Sequence, residues 1–117
     1  LPPGLRGDRR DPVLPRGGTP MSERGFIRHV VFFSAKDPAD RARVYEGLSI
    51  LKQNPHARVL EVVENTRVDS WSGEVDVVVY GEFDDAEALA AYKAHPLYQQ
   101  SIDLVKPLRE LRIAADF

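Results

Sequence analysis

A chain of 117 residues is the length of one ordinary domain with a single core. Its 43% hydrophobic and 29% charged residues are those of a globular protein and exclude a wholly disordered chain, and no apolar run nears the roughly 18 residues that span a bilayer. The formal charge of −2 offers no basic footprint for nucleic acid, and the absence of cysteine excludes disulfides, thiolate metal sites and a cysteine nucleophile, as suits a cytoplasmic protein.

Leu1 to Pro20 holds five of the nine prolines and four of the eight glycines without apolar periodicity, so a flexible leader is expected there. It lacks the apolar h-region of a secretory signal. Removing its four arginines and two aspartates from the total leaves −4 on the remainder. Met21, the only methionine, reads as the natural start, with residues 1–20 an appended segment or an overlong reading frame and residues 21–117 the domain. A transit peptide is the weaker alternative, since Asp8, Asp11 and the prolines interrupt any amphipathic helix.

Phe26 to Ser34 is β-branched and aromatic, which predicts a strand. Asp37 caps a helix that starts at Pro38, carries Val44, Leu48 and Leu51 at helical spacing, and stops at Asn54-Pro55. Arg58 to Asn65 predicts a second strand, Thr66 to Glu74 a polar loop, and Val75 to Phe83 a third strand. Asp84 and Glu87 form a capping-box-like start for a second helix with Leu89 and Tyr92 on its buried stripe. His95 precedes Pro96 and is pushed out of the α region, so that helix breaks there. A short helical segment through Ile102 and Val105 leads to a fourth strand, Leu108 to Phe117. The order is β-α-β-β-α-β, an α+β fold of ferredoxin-like type.

In that topology both helices cover one face of the sheet. Yet the first strand is apolar on both sides, Phe26, Val30 and Phe32 against Ile27, Val31 and Phe33, and the third strand sets Val75, Val77 and Val79 against Val78 and Tyr80. A solvated face of an antiparallel sheet carries polar residues. A second copy of the sheet is the simplest cover, so a homodimer is expected.

His29 shares a strand face with Ile27, Val31 and Phe33. It reads either as a neutral core histidine or as an acid–base residue, and Asp116 bears on the choice, because the first and fourth strands are neighbours and a carboxylate there fixes the imidazole tautomer. Asp116 itself reads equally as a solvated residue beside the C-terminus. Tyr92 is either a packing residue or a hydroxyl aimed at a pocket. His95 reads as an anchor for the helix end. Trp71, the only tryptophan, reads as a loop anchor or a lid contact. His29, His56 and His95 lack metal-ligand spacing, and no glycine-rich phosphate loop or nucleophile elbow occurs, so neither a metal nor a cofactor is expected.

The strand Ile27-Arg28-His29-Val30-Val31-Phe32 followed by the run Tyr80 to Pro96, ending in Tyr92-Lys93-Ala94-His95-Pro96, resembles the stress-responsive A/B barrel (Dabb) family over about Phe26 to Phe117. The resemblance implies a dimeric α/β barrel in which two sheets close on each other. It also implies a small-molecule pocket: in a cyclase of that family the residues matching His29, Tyr92 and Asp116 line the ligand site. That cyclase's catalytic histidine falls where this chain has Tyr98, a departure that argues for the pocket and against that condensation. The expected site is therefore His29, Tyr92 and Asp116 as catalytic residues, with Tyr98, His95, Phe33 and Trp71 around a small apolar ligand. Isomerase, cyclase or lyase chemistry and ligand binding without turnover are the two functions it implies. Cofactor-free oxygenation, as in the similar-looking antibiotic-biosynthesis monooxygenases, forms a third class, set aside because His29 on the first strand and Tyr-x-x-His-Pro point to Dabb.

Overall fold

A computed structural model describes residues 25–117. The leader and Met21 lie outside the described residues. Strand β1, Ile27–Ala35, is followed by a 3-10 turn, Pro38–Asp40, and by helix α1, Arg41–Ser49, which tightens into a second 3-10 turn, Ile50–Gln53. Strands β2, Val59–Glu64, and β3, Val77–Phe83, come next, then helices α2, Ala86–Ala94, and α3, Pro96–Val105, and finally strand β4, Arg109–Asp116. The sheet order is β2-β3-β1-β4 with every pair antiparallel. This is the ferredoxin-like α+β arrangement.

The local chemistry explains the elements. Asp37 accepts from the Ala39 N–H, and Pro38 stands at the first position of the turn that leads into α1. The cap of α2 is Asp85, whose carboxylate accepts from Ala88 N at 2.8 Å, and Asp84 does not fill that place. The acceptor must sit three residues before its donor, and the paired aspartates left that register open by one. His95 ends α2 in extended geometry and then caps α3, its Nδ1 accepting from Leu97 N at 3.1 Å ahead of Pro96.

Strand β3 begins at Val77 rather than Val75, and just before it Asp76 keeps main-chain bonds to Phe33 and Asn65 while its side chain acts as a clamp. Its buried carboxylate accepts from Ala35 N at 2.8 Å, pairs with Arg41 at 2.9 Å and meets Arg67. A buried carboxylate is tolerable when paired and hydrogen-bonded in this way.

The core lies between the helices and one sheet face. Val31 and Phe33 from β1, Val62 from β2, and Val77, Val79 and Phe83 from β3 meet Val44, Leu48 and Leu51 around α1, Tyr92 of α2 and Val105 of α3. Helices α1 and α3 approach closely at Gly47, where a Cβ would stand 2.7 Å from Val105 Cγ2 and where Ser101 Oγ donates to the Gly47 carbonyl at 2.9 Å. On the opposite sheet face Val30, Phe32, Val78 and Tyr80 are only half-buried, and Val63 and Ile113 are exposed. No helix of the described residues is long and apolar enough to cross a membrane.

Candidate functional site: a histidine–carboxylate pair beneath two tyrosines

The period of β1 points His29 into the core side of the sheet, where it is 2% exposed. Its two ladder partners have different jobs. On one side Gly81 has no side chain, so the ring of Phe83 fills the space; a Cβ on Gly81 would lie 2.8 Å from Phe83 Cε1. On the other side Asp116 stands directly across, and its carboxylate bonds Nδ1 of His29. An ionised carboxylate only accepts, so Nδ1 carries the proton and Nε2 presents a lone pair.

The imidazole belongs to an aromatic array. Its ring centroid is 6.2 Å from Phe83 and 6.4 Å from Tyr92, Phe83 and Tyr92 are 4.8 Å apart, and Tyr92 and Tyr98 are 5.2 Å apart. Tyr92 is held from behind: buried Asn54 donates its side-chain N–H to the Tyr92 carbonyl at 3.0 Å. Burial pushes the Tyr92 phenol well above its ordinary pKa, neighbouring Tyr98 adds to the rise, and Arg112 opposes it. Tyr92 therefore stays protonated throughout the physiological range.

A cavity of about 30 Å³, the room one water needs, opens among these groups. Val31, Phe33, Leu48 and Leu51 make its apolar wall; His29, Tyr92, Tyr98, Arg109 and Arg112 supply its polar groups. Among the described residues no protein group hydrogen-bonds His29 Nε2 or the Tyr92 hydroxyl, although both side chains are buried. Buried polar atoms without partners are rare and cost about 1–3 kcal/mol each.

His29, Tyr92, Tyr98 and Phe33 thus gather on one cavity, and Asp116 reaches it through His29. His95 and Trp71 do not line it. His95 is occupied as a cap, its ring 5.7 Å from that of His56. Trp71 is 93% exposed at a loop tip and anchors nothing; the loop is instead held by Asn65, which donates to the Ser72 and Val75 carbonyls, and by Asp69, which accepts from Trp71 N. The arginines of β4 and Asn54 escaped the sequence reading. The signal for Asn54 was its place in an Asn-Pro stop; Arg109 and Arg112 gave none, because their shared face depends on an irregularity in β4. Among the described residues no group of three or more His, Asp or Glu side chains is arranged to hold a metal ion.

The comparisons agree with this architecture. The chain belongs to the stress-responsive A/B barrel domain (Dabb) family, whose model matches residues 27–117. No curated protein sequence matches it. A dimeric ferredoxin-like protein of unknown function from Jannaschia sp. CCS1 is 20% identical, with a TM-score of 0.70 over 80% of this chain and 98% of that one. A Dabb family protein with a ferredoxin-like fold from Mesorhizobium loti is 22% identical, with a TM-score of 0.62 over 80% and 95%. A dimeric ferredoxin-like protein of unknown function from Thermobifida fusca is 24% identical, with a TM-score of 0.66 over 79% and 89%. These likenesses establish the fold.

Proposed function

We propose that the protein is a homodimer whose cavity takes a small, largely apolar carbonyl compound and moves a proton beside that carbonyl without a cofactor, as in isomerisation, cyclisation or lyase chemistry. The observation that carries this reading is the pairing of two buried polar atoms without a partner among the described residues, His29 Nε2 and the Tyr92 hydroxyl, on one apolar-walled cavity. A site built to hydrogen-bond its ligand leaves such groups open.

In this scheme Nε2 removes a proton from the carbon next to the carbonyl, and Asp116 holds the resulting imidazolium. The electron pair left behind moves onto the carbonyl oxygen, where Tyr92 donates a hydrogen bond to the developing enolate. With its phenol pKa raised by burial, Tyr92 serves as donor and keeps its proton. The proton on Nε2 returns to the same or a neighbouring carbon, so His29 ends as it began and no electrons are gained or lost. Phe33 and Tyr98 flank the apolar body.

The homodimer rests on the second apolar sheet face and on the dimeric state of similarly folded proteins. The cysteine-free composition favours a cytoplasmic setting. Binding without turnover is the second reading, favoured by Tyr98 standing where a related cyclase has a histidine.

Exchange of solvent deuterium into acetophenone, cyclohexanone and 4-phenylbutan-2-one tests proton removal directly. The reading expects enzyme-dependent exchange into at least one ketone that His29→Gln abolishes. Exchange at background for all three, or exchange indifferent to His29→Gln, overturns it in favour of a binding protein.

A further inference from the structure

The register of β1 against β4 shifts between Ser34 and Ala35: Ser34 pairs with Leu111, but Ala35 pairs with Arg109, leaving Glu110 as an extra residue. In an unbroken strand residues 109 and 112 would point to opposite faces. The bulge brings both to the helix side, and both line the cavity that contains His29 and Tyr92. Bulges re-aim side chains in this way next to functional sites.

Neither guanidinium has a carboxylate partner among the described residues. Among the described residues Arg41, Arg43, Arg58 and Arg67 each pair with an aspartate, and Arg28 lies over the rings of Phe26 and Phe117. Arg109 has no ion-pair partner among the described residues, and the polar contact of Arg112 is a marginal 3.5 Å approach to the Tyr98 hydroxyl. Asp116, the acid on the same strand face, is engaged by His29. Arg109 is half-buried and Arg112 exposed, so both guanidiniums stay available to a ligand's charge at the edge of the apolar wall.

We propose that the ligand of this cavity is an apolar acid whose carboxylate sits against Arg109 and Arg112 while its body lies along Phe33 and Val31 toward His29 and Tyr92. The inference rests on the cavity being a ligand site, as argued above, and adds the charge of the ligand. Guanidinium forks match a planar carboxylate in two parallel hydrogen bonds. Tyr98 lines the cavity and its contact with Arg112 is long, so in this proposal the carboxylate replaces that contact and the ring moves aside to admit a body larger than one water.

The test titrates the full chain with benzoate and benzamide, and with hexanoate and hexanamide, following His29 and Tyr92 by NMR. Each acid is expected to bind at least about tenfold more tightly than its amide. Arg109→Gln with Arg112→Gln should erase that preference, weakening each acid by at least about tenfold relative to its amide, while Arg112→Lys should keep part of it. Equal affinity of acid and amide, or a preference that survives the double variant, overturns the anionic ligand and leaves the pocket standing. Failure of all four probes to move His29 or Tyr92 overturns the pocket and this inference together.

Discussion

The side chain of Asn54 donates to the main-chain carbonyl of Tyr92 at 3.0 Å, and both residues are buried. The bond ties the turn after α1 to the last turn of α2, and Asn54 Oδ1 also accepts from His56 N at 3.1 Å. One asparagine thereby satisfies a helix-end carbonyl and fixes the segment that carries the tyrosine. Asn54→Ala should cost about 1–3 kcal/mol, because it removes two hydrogen bonds and leaves the Tyr92 carbonyl with only the 3.3 Å bond from His95 N. Asn54→Asp should cost at least as much, since a carboxylate cannot donate to a carbonyl. Urea denaturation checks both, and a loss under about 0.5 kcal/mol for either would show that the bond is not a stabilising link.

Tyr92→Phe separates function from packing. The hydroxyl has no partner among the described residues, so removing it relieves a desolvation cost and leaves the ring contacts intact. The variant should be as stable as the parent or up to about 1 kcal/mol more stable, while losing ketone exchange. Alkaline pH offers a second check. The folded pKa of Tyr92 is raised above the value of 10.0 taken for the unfolded chain, so its contribution is fully present below pH 10 and is lost as pH rises toward the folded pKa. The melting temperature of the parent should therefore fall more steeply above pH 10 than that of Tyr92→Phe. Identical slopes would contradict the burial of that phenol.

Much of this was legible because strands and caps write themselves in residue periods. The two-sided apolar run of β1, the break at His95-Pro96 and the adjacency of β1 and β4 all follow from local chemistry and one topology, and that adjacency brings Asp116 to His29. Asp76 was hidden in an apolar run because its partners, Arg41, Arg67 and the Ala35 amide, are distant in sequence. Arg109 and Arg112 were hidden for a different reason: a bulge of one residue reverses the face of everything before it, and its position depends on the partner strand. Trp71 misled because a lone aromatic suggests an anchor, whereas the loop is held by amides and aspartate side chains.

The open sheet face makes its own prediction. Phe32, Val30 and Val78 sit at its centre and are half-buried in the single chain. Sedimentation should give a dimer at roughly micromolar concentration, since apolar area of this kind drives association, and Phe32→Asp should shift it to monomer. A parent protein that sediments as a stable monomer would contradict the barrel.

Gly47→Ala probes the packing of the helix layer. The added methyl meets Val105 Cγ2 at 2.7 Å, so α1 and α3 must separate or Val105 must change rotamer. A loss of about 1–3 kcal/mol is expected, and Val105 lines the cavity, so probe binding should weaken as well. Full stability with unchanged binding would show that this contact yields freely.

The central claim is that Asp116 holds the proton on Nδ1 so that His29 presents a bare Nε2 to the cavity. Nitrogen-15 NMR of the imidazole reads that directly, without knowledge of the ligand. For the neutral imidazole the account predicts a protonated Nδ1 and an Nε2 with the shift of an unprotonated ring nitrogen, and it predicts that Asp116→Ala mixes the two tautomers. A proton found on Nε2, or a tautomer unchanged by Asp116→Ala, would contradict it.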